Sequence, residues 1–136
     1  MKLLGFNLTK IQAERFPSDG KDLKIETNID VSDISGVKSD MIKKEELIGV
    51  KFEYIIKYSP EFAIISFRGN VLLSGDSKEV SEILKSWKDK QIPPNFKEII
   101  FNIILKKSNL KALQLEEELN IPSHIPMPSL NFKKSD

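Results

Sequence analysis

Residues 48–73, IGVKFEYIIKYSPEFAIISFRGNVLL, decide the fold. In the first half Ile48, Val50, Phe52, Tyr54, Ile56 and Tyr58 alternate with Lys51, Glu53 and Lys57, the pattern of a strand with one buried and one wet face. Pro60, within Tyr58-Ser59-Pro60-Glu61-Phe62, brings a fixed φ to a turn position, and an apolar run resumes at once, which predicts a hairpin. The returning strand sets Ala63, Ile65, Phe67, Val71 and Leu73 on one parity, while Phe62, Ile64 and Leu72 make much of the other parity apolar too. Cover on both faces of that strand is therefore expected. Gly69-Asn70 has the composition of a two-residue turn, but no partner run follows Gly75, so a bulge or a close backbone approach inside one strand is the better reading.

Upstream, Leu23, Ile25, Thr27, Ile29 and Val31 alternate with Lys24, Glu26, Asn28, Asp30 and Ser32, a second amphipathic strand. Before it, Leu4, Phe6 and Leu8 alternate on one parity and Ile11 and Ala13 on the other, as one extra residue near Thr9 or Lys10 would produce. A bulged first strand follows from that switch. Residues 35–46, with Gly36 and the run Lys43-Lys44-Glu45-Glu46, read as a polar loop.

Downstream the period changes from two to 3.6. Asp76 with Glu79 three residues later is a capping box, and Val80, Ile83, Leu84 and Trp87 follow at helical spacing, predicting a helix over 77–90. Pro93-Pro94 interrupts it and opens a second helix, whose stripe is Phe96, Ile99, Ile100, Ile103 and Ile104. Phe101 and Leu105 widen that stripe beyond one face, which implies two packed surfaces and hence a homo-oligomer, a dimer or a tetramer. Ser108-Asn109 either caps a third helix or lies inside a continuing one. From Ile121 to Phe132 three prolines and several large apolar residues exclude helix and predict an extended strap over apolar surface.

The chain of 136 residues, 40% of them hydrophobic, is sized for one domain with one core. Its 21 Lys and Arg balance 20 Asp and Glu, so no net field gathers phosphate backbones, and nucleic acid is not an expected partner. The absence of cysteine removes disulfides and thiolate chemistry and fits a reducing compartment. No signal-peptide core and no apolar run of roughly 20 residues is present, so membrane insertion is not expected and a cytoplasmic location is.

Chemistry is sparsely supported. The sole histidine, His124, has no carboxylate or second imidazole near it in sequence and reads as a surface or half-buried polar group. The six glycines form no phosphate-cradling loop, and Glu26, Asp30 and Glu53 alternate with Lys24 and Lys51 as cross-strand ion pairs do. Trp87 falls on an apolar helix stripe without a basic cluster and reads as core or oligomer contact. The chain is expected to be no enzyme and to need no cofactor or metal.

Four antiparallel strands, a capped helix, a proline interruption and a proline-rich apolar ending together resemble the SecB family of export chaperones. The resemblance rests on the bulged strand Phe6-Asn7-Leu8-Thr9-Lys10-Ile11, on the hairpin Val50–Leu73 with Gly69 in its last strand, and on Pro128-Ser129-Leu130-Asn131-Phe132. The helix over 93–107 lacks the aromatic and arginine signature of bacterial members, and residues 108–120 look like an insertion, which suits a divergent, archaeal kind of relative.

The resemblance implies an α+β fold with a four-stranded antiparallel sheet of Greek-key type, two or three helices and a proline-rich C-terminal strap. It also implies a homotetramer that holds unfolded client chains in apolar grooves between the sheet and the helix-linking segments. Residue chemistry nominates Phe62, Ile64, Leu72, Ile92, Phe96, Ile121, Ile125 and Met127 as groove residues, Met127 because an unbranched thioether repacks easily. The functional expectation is an ATP-independent holdase for non-native polypeptide, with a role in protein export. The alternative is an oligomeric adaptor of the same fold.

Overall fold

The computed structural model describes residues 1–37 and 46–126, so Met127 and the Pro128–Phe132 motif lie outside the described residues. Four long strands, β1 (Lys2–Arg15), β2 (Lys24–Val37), β3 (Glu46–Ser59) and β4 (Ala63–Gly75), precede helices α1 (Ser77–Lys88) and α2 (Pro94–Leu119). All pairings are antiparallel and the sheet order is β1-β4-β3-β2, which makes β1 and β2 the edges.

The β3–β4 hairpin forms as the alternation predicts. Tyr54 pairs with Phe67, Ile56 with Ile65 and Tyr58 with Ala63, so both apolar sets share the face on which the helices pack. Residues 35–37 and 46, read as loop, extend β2 and β3 instead, because Ser35, Gly36 and Val37 find partners in Gly49, Ile48 and Leu47.

In β1 the register shifts between Leu8 and Lys10, which makes Thr9 the extra residue and moves Ile11 and Ala13 onto the core parity. A second shift between Leu3 and Gly5 leaves Leu4 out of the ladder and exposed. Opposite the first bulge sits Gly69, within an unbroken β4. A Cβ there would lie 2.6 Å from the Asn7 carbonyl oxygen and 2.8 Å from the Phe52 ring, so close approach, rather than a bulge in β4, is what requires glycine.

The expected cover on the second face of β4 is only partial. Ile64, Ser66 and Leu72 are half-buried there, but Arg68 and Asn70 are exposed, and Arg68 Nε donates to Glu53 Oε2 across the strands at 2.8 Å. Phe62 does not belong to that face. It occupies the turn and is buried, its ring 6.3 Å from that of Tyr58 and 5.3 Å beneath the Arg15 guanidinium.

Asp76 caps α1 by accepting from the Glu79 backbone N–H at 2.8 Å, and Val80 and Ile83 bury its inner face. The open choice at Ser108-Asn109 resolves into one continuous helix: Ser108 is buried on the inner face of α2, and the Asn109 side chain accepts from the Tyr54 hydroxyl at 2.9 Å instead of capping. There are thus two helices among the described residues. α2 buries Phe96, Ile100, Ile104, Ser108, Ala112 and Glu116, four residues apart, while Ile99 and Leu110 remain 38% and 65% exposed. No described helix is long and apolar enough to cross a membrane.

Candidate functional site

Between edge strand β2 and the α1–α2 junction lies a cleft of 490 Å3, lined by Ile29, Asp30, Val31 and Ser32 on one side and by Trp87, Lys90, Ile92, Lys97 and Phe101 on the other. The local sequence explains the second wall. Lys90 takes a left-handed φ of 57° after α1, with its N–H on the Trp87 carbonyl at 2.8 Å and the Gln91 N–H on the Ser86 carbonyl at 3.0 Å. Pro93 then holds Ile92 out of helical geometry before Pro94 opens α2, so Ile92 projects between the two helices toward β2.

The wall is aromatic with cationic tips. Lys90 Nζ stands 4.6 Å from the centre of the Trp87 ring, and Lys97 Nζ stands 5.4 Å from that of Phe101. Both rings are half-buried, so each keeps apolar surface that a ligand can cover. The facing strand is an edge, and among the described residues its outer row of backbone N–H and C=O groups has no strand partner. Such a cleft suits an extended chain, which can add main-chain hydrogen bonds on one side and side-chain contacts on the other.

Of the residues nominated from sequence, Ile92 alone lines this cleft. Phe62, Phe96 and Ile121 are buried in the core, where they stabilise the fold by burial of about 1.5–3 kcal/mol each. Ile64 and Leu72 sit on the opposite face of the sheet, eight residues apart along β4 with Arg68 and Asn70 between them, so they make no common surface with Ile92. Leu72 instead borders a second cleft, of 420 Å3, with Gly5, Val37 and Gly49. Ile125 is half-buried after α2, and Met127 lies outside the described residues. Trp87, Phe101, Ile29 and Val31, which the sequence pattern assigns to packing, complete the cleft. The signal that could have found them is Trp87 six residues before Pro93, a large aromatic at the end of a helix that the prolines cut short.

The residues following α2 are tied down by a buried polar cluster. Asn120 adopts a left-handed φ of 58°, turning the chain back so that the Ile121 N–H bonds the Glu116 carbonyl at 3.0 Å. The Glu116 carboxylate accepts from the His124 backbone N–H and the Tyr58 hydroxyl, each at 2.8 Å, and its other oxygen is 2.6 Å from His124 Nδ1. His124 Nε2 lies 2.8 Å from the Asn109 side-chain oxygen. The histidine without a carboxylate near it in sequence therefore has one in space.

Burial, and secondarily the Glu116 charge, push the Tyr54 phenol up to about 12 from 10.0. Burial also raises Tyr58, helped by its hydrogen bond to Glu116 and by the Glu116 charge. A phenol that holds its proton more tightly when folded contributes stability below its unfolded value, and that contribution is lost as pH rises from about 10 toward about 12. Urea midpoints followed by circular dichroism are expected to fall steadily above about pH 9, and a level profile from there through about pH 11 would contradict this environment.

No protein-family model matches the chain, and no curated protein matches it in sequence. Among solved structures, a SecB-like chaperone of Mycobacterium tuberculosis, in complex with a ChAD peptide from an antitoxin, is similar with a TM-score of 0.53 at 12% identity, over 97% of this chain and 91% of that one. The likeness in fold runs nearly end to end in both chains.

Proposed function

From a SecB-like fold as premise, we propose that the chain is an ATP-independent chaperone that binds extended, non-native polypeptide in the cleft between β2 and the α1–α2 junction. The observation that carries this reading is the unpaired edge of β2 facing Trp87, Ile92 and Phe101. A client segment would lie along β2 and set its apolar side chains against those rings. Burial at about 25 cal/mol per Å2 supplies the affinity without nucleotide or covalent chemistry. The solved SecB-like chaperone was captured with a peptide, which supports a polypeptide ligand here. The same reading takes residues 1–136 as one domain of Greek-key order with a proline-rich strap, cytoplasmic, without catalytic residues, and serving protein export.

A second reading, an oligomeric adaptor, is favoured by one observation: Ile99 and Leu110 leave an apolar stripe on the outside of α2 that self-association would cover. The two readings are compatible if a homo-oligomer leaves the cleft open.

The test is aggregation of a chemically unfolded client with and without the purified protein, paired with calorimetric binding of an unfolded chain. The wild type is expected to suppress aggregation, and Trp87→Ala combined with Ile92→Ser to weaken binding by about tenfold or more. Absence of both suppression and binding in the wild type would leave the adaptor as the reading.

A further inference from the structure

The geometry points to a proton-operated clasp: protonated His124, bridging Glu116 and Asn109, fastens residues 121–126 onto α2 and β3, and loss of that proton unfastens them.

Donors and acceptors balance at this ring only when it is doubly protonated. His124 Nδ1 faces a carboxylate oxygen of Glu116 at 2.6 Å, and Nε2 faces the amide oxygen of Asn109 at 2.8 Å. Both partners are acceptors, and only the imidazolium carries an N–H on each nitrogen. The Asn109 oxygen accepts from a second donor as well, the Tyr54 hydroxyl at 2.9 Å. The His124 and Glu116 side chains are 1% and 3% exposed, so no water replaces a bond that is lost. A neutral ring would set a lone pair against one of the two oxygens.

The surroundings define what moves. α2 presents Glu116 as the charged group facing the ring, with the amide of Asn109, and β3 presents the phenols of Tyr54 and Tyr58. From β1, the Arg15 guanidinium donates to the carbonyls of Leu119 and Asn120, each at 3.1 Å, which holds the helix end in place. Movement therefore begins at Ile121, beyond the left-handed Asn120. Tyr58 has one hydroxyl proton and two acceptors, Glu116 Oε2 at 2.8 Å and the Pro122 carbonyl at 2.7 Å, so Glu116 retains it when Pro122 moves away. Imidazole is the side chain that ordinarily gains and loses a proton nearest neutrality, and a ring that needs both N–H groups closes the clasp on the acid side. This inference stands apart from the cleft and does not depend on what binds there.

The experiment uses the full chain and its single histidine. Long-range nitrogen–proton NMR of the imidazole is recorded from about pH 5 to pH 8, together with amide hydrogen exchange corrected for its intrinsic pH dependence. The expected result is an N–H on both ring nitrogens at the acid end. As that proton is lost, exchange of the Ile121 and His124 amides, both bonded to Glu116, should quicken about tenfold or more, with α2 amides unchanged. In His124→Gln the pH dependence of that protection should vanish. A ring with a single N–H throughout and constant protection of 121–126 would overturn the clasp, as would an unchanged pH dependence in His124→Gln. If that variant does not fold, the wild-type titration decides alone.

Discussion

Glu116→Ala is expected to lose about 3–5 kcal/mol of unfolding free energy, read as a lower urea midpoint at unchanged slope. The side chain is a buried carboxylate at the inner face of α2, and three donors converge on it: the Tyr58 hydroxyl, the His124 backbone N–H and His124 Nδ1. Alanine removes the acceptor and leaves the donors where water does not reach them. Tyr58 has a second acceptor in the Pro122 carbonyl, but the two His124 groups have no replacement in sight. The contrast is the Arg68–Glu53 pair on the open face of the sheet, whose side chains are 60% and 32% exposed. An ion pair that wet contributes about 0–1 kcal/mol, so Glu53→Ala should move the midpoint very little. Equal losses for the two variants would mean that the carboxylate of Glu116 is not held as described.

Gly69→Ala is the second large effect, at about 3 kcal/mol. The added methyl meets a backbone carbonyl, that of Asn7, at 2.6 Å, and the Phe52 ring at 2.8 Å and 2.9 Å. Neither gives way easily. The carbonyl belongs to the stretch of β1 just before its Thr9 bulge, and the Phe52 ring is stacked on Phe6 with centroids 5.5 Å apart. Gly36→Ala is the control: its Cβ would approach only a terminal methyl of Leu84, at an ordinary 3.5 Å. That change is expected to fall within about 0.5 kcal/mol of the wild type. Chemical denaturation of the pair separates a steric requirement at residue 69 from a general penalty on altering strand glycines.

Local signals in the chain carried the elements well. The parity switch across Thr9 announced a bulge that the β1–β4 register contains, and Asp76 with Glu79 marked the start of α1 to the residue. The neighbour of β1 was not legible, because pairing it with β4 joins residues some sixty positions apart, and no local pattern encodes that. With it went the knowledge that β2 is an edge, and hence where a cleft could open. Phe62, Phe96 and Ile121 show the other limit: an apolar residue needed by the core and one left over for a partner look alike until the packing is known. His124 and Glu116 stand only eight residues apart, yet their contact depends on the left-handed turn at Asn120, which sequence spacing does not reveal.

The placement of Trp87 beneath Lys90 and of Tyr54 and Tyr58 around Glu116 divides the chromophores of the molecule between its two sites. The chain has one tryptophan and two tyrosines, so indole emission belongs wholly to the cleft and the phenol absorption band wholly to the clasp. A polypeptide settling against β2 and a proton leaving His124 would thus register in separate signals, indole emission and phenol difference absorption, in unlabelled protein, and each could be timed against the other in a single mixing experiment.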